Sequence, residues 1–343
     1  MTVPREKPQG DAEVGFHTSG HTGKPTLWLR THDQLRTEAQ MIGDVIIGTV
    51  DRVVTFAPAE HLFGRLFGDV LPRLRGIPVQ DLHTDPTQAP DLIKTARTLL
   101  VCLPSTWAVL QRMIPRLREL PGTVALHGTG PVTPAAARVV SQLRGSGFRA
   151  VELFGSTESG GIAYREMSTD PAQARPWRLL PDVRLVTDGP ASELQTLHVR
   201  SPRLARPANA PTPPPSLRLP DLIRPVDARH FDHVGRSTGL VKVNGRRCDI
   251  DAVAADASRV LGTEVACLAM RDPLRGEHYE LYYDDLAGTL TDETVWHRLP
   301  GALAGRPVPR TLHAVPGIPR TATGKLKLDQ LHAATAQRSA VRA

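Results

Sequence analysis

Residues Thr18-Ser19-Gly20-His21-Thr22-Gly23-Lys24-Pro25 form a hydroxyl-rich loop punctuated by glycine, and Pro319-Arg320-Thr321-Ala322-Thr323-Gly324-Lys325 forms a second, basic loop near the opposite end of the chain. Glycines let backbone N–H groups approach phosphate oxygens, while Ser, Thr and Lys side chains add donors and positive charge to the same cradle. Together the two loops point to ATP. The first is not a P-loop signature, because Pro25 stands where that motif needs Ser or Thr. Gly128-Thr129-Gly130-Pro131-Val132-Thr133 opens as G-x-G but lacks the closing glycine of a dinucleotide fingerprint, which argues against a Rossmann cofactor site.

The chain has 343 residues and 40% hydrophobic content, enough for more than one packed core. No apolar run of about 18 residues occurs, and Met1 to Glu6 shows no apolar signal region, so the expectation is a cytoplasmic protein with no membrane partner. Cys102, Cys248 and Cys267 are odd in number and far apart, which excludes a disulfide framework and a C-x-x-C metal site. The net charge of +7 is dispersed and aromatics make up only 4%, so neither a basic stripe nor a stacking platform for nucleic acid is visible.

Residues 33–48 read as a helix after the first loop. Apolar runs at Val53-Val54-Thr55-Phe56, Thr98-Leu99-Leu100-Val101-Cys102 and Val124-Ala125-Leu126 read as short buried strands, an alternation that implies α/β layers. Leu194 to Val199 alternates as an antiparallel strand does, and residues 206–216, with five prolines, read as a loop without regular structure. After Gly235-Arg236 the pattern restarts as a compact α+β unit, with a helix expected at 249–261 and strands near 264–270 and 279–284. The expected division is therefore a large domain over 1–235 and a small one over 236–343.

Further motifs follow in order. Phe154-Gly155-Ser156-Thr157-Glu158 matches aromatic-G-x-T-E, Asp221-Leu222-Ile223-Arg224 matches the D-L-x of T-G-D-L-x, and Gly235-Arg236 precedes Lys242-Val243-Asn244-Gly245-Arg246-Arg247. With the T-S-G-x-T-G-K-P loop and P-R-T-x-x-G-K, the chain resembles the AMP-forming, adenylate-forming enzymes: acyl-CoA synthetases, peptide-synthetase adenylation domains and luciferases. The resemblance implies an α/β fold with an antiparallel sheet portion in a large domain, followed by a small α+β domain carrying the catalytic lysine. It also implies that most of an N-terminal subdomain usual in the family is absent before Thr18, to be compensated by a partner subunit or a homo-oligomer.

The resemblance assigns ATP/AMP and Mg²⁺ as cofactors, a small acid as substrate, and coenzyme A or a carrier-protein thiol as acceptor. Thr18, Ser19, Gly20, Thr22, Gly23 and Lys24 would hold phosphates. Thr157 would donate to the α-phosphate, and Glu158 is a hard carboxylate suited to Mg²⁺. Lys325 would place an ammonium where charge builds up in the transition state. Gly128, Thr129 and Gly130, with Glu152, Leu153, Phe154 and Gly155, resemble the segments that sandwich adenine; Asp221 and Arg236 resemble the ribose partners, and His61 resembles a substrate-tunnel residue. His230 and His233, spaced i and i+3 without a third clustered ligand, are assigned no metal. Three departures stand out: His21 replaces a Thr, Thr26 a second Lys, and Thr238 an Asp or Lys at the interdomain hinge, which puts a second, thioester-forming step in question.

Three functional readings follow. The first is adenylation of a carboxylic acid with pyrophosphate release and transfer to a thiol. The second is a diazotase that adenylates nitrite and passes the nitroso group to an aryl amine. The third is a non-catalytic nucleotide-binding subunit.

Overall fold

The computed structural model describes residues 12–18, 26–85, 87–130, 132–169, 174–187, 193–236, 240–243, 246–272, 276–286, 288–320, 326–327 and 330–331. Its largest element is an 11-stranded sheet. One half is parallel and built from Val79–Asp81, Arg52–Thr55, Thr98–Cys102, Thr123–His127 and Phe148–Ser156. The apolar runs read as buried strands are among these, and their side chains divide by alternation. Val53, Leu99, Val101, Leu126 and Val151 face one core, while Val54, Leu100, Cys102, Ala125 and Ala150 face a second. A sheet buried on both faces needs such unbroken apolar runs and a helical cover on each side. The helix His32–Ile42 contributes Leu35, Ala39 and Ile42 to the first core, and helices Thr106–Arg112, Ile114–Arg118 and Pro134–Gln142 line the second.

From Phe148–Ser156 onward the sheet turns antiparallel, through Gly160–Glu166, Trp177–Leu179, His230–Arg236, Leu217–Pro225, Gln195–Arg200 and Arg184–Leu185. The strand expected over 194–199 is Gln195–Arg200, antiparallel to both its neighbours. The helix expected over 33–48 starts at a capping box, with the Thr31 hydroxyl and Gln34 amide bonding each other's backbone N–H, each at 3.1 Å. It continues as a π-helical turn, Gly43–Ile47, and ends at Gly48 with φ 71°.

A separate three-stranded sheet joins the hairpin Glu13–Thr18 and Thr26–Thr31 to Arg206–Pro207. Here the expectation of no regular structure over 206–216 is corrected: Arg206 and Pro207 pair with Leu29 and Trp28. Proline is tolerated because this is the sheet's edge. The Arg206 guanidinium also binds the Glu13 carboxylate and donates to the Ala210 carbonyl at 2.5 Å, so the proline-rich segment straps the hairpin whose connecting residues are 19–25.

Residues beyond 240 form a five-stranded sheet with its own cores. Helices Ile250–Leu261 and Asp292–Leu303 cover one face through Val253, Ala257, Val295 and Leu299. Ala266, Leu268, Tyr282 and Val315 face the other way, against Ile318 and Leu331. The helix and both strands expected in this stretch are present as Ile250–Leu261, Val265–Asp272 and Gly276–Asp284. Leu240–Val243 and Arg246–Asp249 pair as a hairpin, Val243 opposite Arg246, while Asn244 and Gly245 lie outside the described residues. No described helix is long and apolar enough to cross a membrane.

Candidate active site

The parallel strands Thr123–His127 and Phe148–Ser156 lie side by side with His127 opposite Glu152, so the segments that follow them emerge at one edge of the sheet. Ligands of open α/β sheets bind outside such carboxyl ends. Gly128 leaves the first strand where a methyl group would stand 2.7 Å from the Phe63 ring, so only glycine lets the ring approach. Thr129 follows with φ 71°, a left-handed conformation uncommon for a β-branched residue, and its hydroxyl is buried without a hydrogen-bond partner. His127, fully buried, fixes this turn. Its Nδ1 accepts the Trp107 indole N–H at 3.0 Å, which leaves Nε2 as the protonated nitrogen, donating to the Gly130 carbonyl at 3.0 Å.

The neighbouring strand carries Glu152, Leu153, Phe154 and Gly155. Glu152 is buried in a bidentate pair with Arg165 at 2.9 and 3.1 Å, and Arg165 stacks over Trp177 at 4.3 Å. Leu153 packs against the first core. The Phe154 ring meets Trp177, Phe231 and His233 at centroid distances of 5.3, 6.0 and 5.4 Å. Gly155 sits where the strand register slips, and a methyl there would run into the Gly160 carbonyl. Ser156 and Ser159 then bind each other's backbone N–H through their hydroxyls, at 3.1 and 3.2 Å, closing a turn with Thr157 and Glu158 at its tip. The Glu158 carbonyl accepts the Ala205 N–H at 2.8 Å, whereas the Thr157 and Glu158 side chains, both half-buried, engage no described residue.

Asp221 is buried on the Leu217–Pro225 strand, and its Oδ1 lies 3.0 Å from His233 Nε2. Because His233 also touches Phe154, Asp221 is joined through one imidazole to the segment that ends in Thr157–Glu158. Arg236 pairs with Asp221 across the antiparallel ladder. His61 immediately precedes the short helix Leu62–Gly64, whose Phe63 packs on Gly128. Thr18 pairs with Thr26 at the mouth of the hairpin. Ser19, Gly20, Thr22, Gly23, Lys24, Thr238 and Lys325 lie outside the described residues.

Residues 3–193 match the family model described as AMP-binding enzyme. The chain belongs to the AMP-binding enzyme family. It is an AMP-forming ligase by that membership, with sequence relatives to match. A 4-coumarate–CoA ligase of Halorhodospira halophila is 28% identical over 335 residues, a match covering 93% of this chain and 76% of that ligase. One from Cereibacter sphaeroides is 32% identical over 183 residues, covering 52% of this chain and 42% of that ligase. Solved structures share the fold: the anthranilate CoA ligase AuaEII in complex with anthranoyl-AMP superposes with a TM-score of 0.74 at 19% identity, over 97% of this chain and 69% of that one. The amide bond synthetase McbA of Marinactinospora thermotolerans gives 0.72 at 19% identity, over 96% and 70%.

Within this AMP-binding enzyme, a set of residues escaped the motif reading. Arg30, Glu38 and Arg203 form a fully buried charged cluster, extended by the partly buried Asp182, that bonds Gly161 just after the Thr157–Glu158 turn. Burial opposes ionisation of Glu38, but the charges of Arg203 and Arg30 and the Gly161 N–H outweigh it and hold its carboxyl below the usual carboxylate range. A signal was present in the sequence: Glu38 falls on the same helical face as Leu35, Ala39 and Ile42, and Arg30 ends the apolar Leu27-Trp28-Leu29 run. Charged residues are almost never fully buried unless paired. His127 and His233 carried no such signal, because their side-chain partners Trp107 and Asp221 lie on other elements of the chain.

Proposed function

We propose that this AMP-forming ligase activates an aryl or arylacrylic carboxylic acid as its acyl-adenylate, releases pyrophosphate, and passes the acyl group to the thiol of coenzyme A. The observation that carries the reading is the uncommitted polar set at the sheet edge. The Thr129 hydroxyl is buried with no partner, and the Thr157 hydroxyl and Glu158 carboxylate engage no described residue, although the backbone around them is fixed by hydrogen bonds. Such groups cost free energy unless something polar occupies the site. The named activities of the relatives, 4-coumarate–CoA ligase and anthranilate CoA ligase, supply the aromatic acid class and the thiol acceptor.

In this reading the phosphates lie against Ser19, Thr22 and Lys24, and Thr157 donates to the α-phosphate. Asp221, held by His233, accepts from the ribose hydroxyls, and the adenine lies between the Gly128–Gly130 turn and the Glu152–Gly155 strand. The hard, unpaired Glu158 carboxylate fits a Mg²⁺ ion, which when bound neutralises charge on the departing pyrophosphate. The acid's carboxylate oxygen attacks the α-phosphorus, the bond to pyrophosphate breaks, and Lys325 stabilises the charge that develops between them. Release of AMP from ATP should depend on an aryl acid, and coenzyme A should convert to a thioester. Turnover with nitrite and an aminoaryl acid, but with no lone carboxylic acid, would instead make the protein a diazotase.

A further inference from the structure

Glu38 is a fully buried carboxylate that the proposed chemistry leaves unused. Its Oε2 receives Arg30 Nη1 at 2.6 Å and lies 3.0 Å from Arg203 Nη1, while its Oε1 accepts the Gly161 N–H at 2.6 Å. Arg203 extends the cluster. Its Nε and Nη2 grip the two oxygens of Asp182 at 2.6 and 2.9 Å, and Nη2 also donates to the Gly161 carbonyl at 2.9 Å. Arg30 Nη2 closes the ring on the Arg203 carbonyl at 2.7 Å.

Two guanidiniums and two carboxylates cancel in charge, yet such a quartet is a poor device for stability. Desolvating the ions costs about as much as their attraction returns, and packed apolar side chains often do as well or better. What the quartet does supply is direction. It holds both polar atoms of Gly161, three residues from Glu158. At Gly160, with φ 71°, the Glu38 carboxylate stands 2.5 Å from where a methyl group would be. Ala205, two residues from Arg203, holds the Glu158 carbonyl. Arg30 sits on the strand that follows residues 19–25, and Gln34, on the same helix as Glu38, donates to the Leu204 carbonyl at 3.2 Å. The cluster thus ties the strand after the phosphate loop, the first helix and the 201–205 loop to the turn bearing Thr157 and Glu158.

We propose that Glu38, acting through Arg30, Arg203 and Asp182, is the positioning residue that sets the Thr157–Glu158 turn against the phosphate-loop hairpin. This rests on the reading of that turn as the one facing the phosphates and Mg²⁺. A misplacement of about 1 Å at a reacting site can cost on the order of 100-fold in rate.

The test uses the full chain. Glu38→Gln keeps the side chain's shape and an acceptor for the Gly161 N–H but removes the charge. At a temperature where both proteins are folded, the variant should lose at least about tenfold in kcat and need severalfold more Mg²⁺ for half-maximal AMP release, with the KM for the acid little changed. A purely structural role would lower the melting temperature and leave the Mg²⁺ dependence alone, and that result overturns the proposal. The quadruple change Arg30→Met, Glu38→Leu, Asp182→Asn and Arg203→Met, which removes all four charges together and leaves no unpaired ion, carries the test if Glu38→Gln does not fold. Assayed below its own melting temperature, it should show the same catalytic loss; wild-type turnover in it overturns the proposal. Calorimetric binding of Mg·ATP separates the two claims. If the wild type binds none, the reading of the site fails and the proposal with it; if both proteins bind and turn over alike, only the proposal fails.

Discussion

Gly160 has φ 71°, and an added methyl would stand 2.5 Å from Glu38 Oε2 and 2.6 Å from Arg30 Nη2, both atoms of fully buried side chains. Gly160→Ala therefore combines a left-handed conformation that alanine resists with a clash that no flexible surface group can relieve. We expect it to destabilise the protein by about 1–3 kcal/mol or more. Chemical denaturation of the variant checks this, and a wild-type midpoint would mean that the turn is looser than described. Gly155 and Gly128 make the same point: each is glycine because a carbonyl or an aromatic ring occupies the space a side chain would need. The first lies within the aromatic-G-x-T-E motif, so its importance was legible in the sequence. The reason for it was not, since the obstructing atoms belong to Gly160 and Phe63, which the motif does not contain.

The His32–Ile42 helix links local sequence to the site. Its Thr31-x-x-Gln34 box satisfies two backbone donors, and the same Gln34 amide reaches the Leu204 carbonyl. Thr31→Ala should cost about 1 kcal/mol of stability, read as a lowered thermal midpoint; no shift would show that tertiary contacts alone hold the helix end. Elements of this kind were legible because their signals are local. The parallel strands announce themselves as apolar runs such as Thr98-Leu99-Leu100-Val101-Cys102, and Gln195–Arg200 by alternation. The strand Arg206–Pro207 was not legible, because its partner Trp28-Leu29 lies in a distant hairpin and five prolines mask the pairing. The charged quartet was legible only in halves: Glu38 stands out on an apolar helix face, but nothing in the sequence connects it to Arg203 or Asp182.

Taken over the whole molecule, that quartet couples stability to pH. Because the Glu38 carboxyl is held below its ordinary value in the folded state, its ionised form contributes stability that is fully present above the unfolded pKa, about 4.3. The contribution is lost as pH falls through the lower, folded value. Removing one partner of a buried pair costs about 3–5 kcal/mol. Urea unfolding should therefore show wild type and Glu38→Gln separated by a constant gap above about pH 5 that narrows in more acid solution. A gap unchanged down to about pH 3 would mean that the carboxylate is not held as described. At this scale the chain is an enzyme proposed to join an acid to AMP at the carboxyl edge of its parallel strands, with Lys325 brought to the reacting centre from the far end of the chain. The decisive measurement is acid-dependent exchange of labelled pyrophosphate into ATP, for the wild type and for Lys325→Ala. Exchange is expected with at least one aryl acid, with a fall of orders of magnitude in the variant and Mg·ATP affinity nearly unchanged. Equal exchange in the two proteins, or Mg·ATP binding without exchange for any acid, would contradict that mechanism.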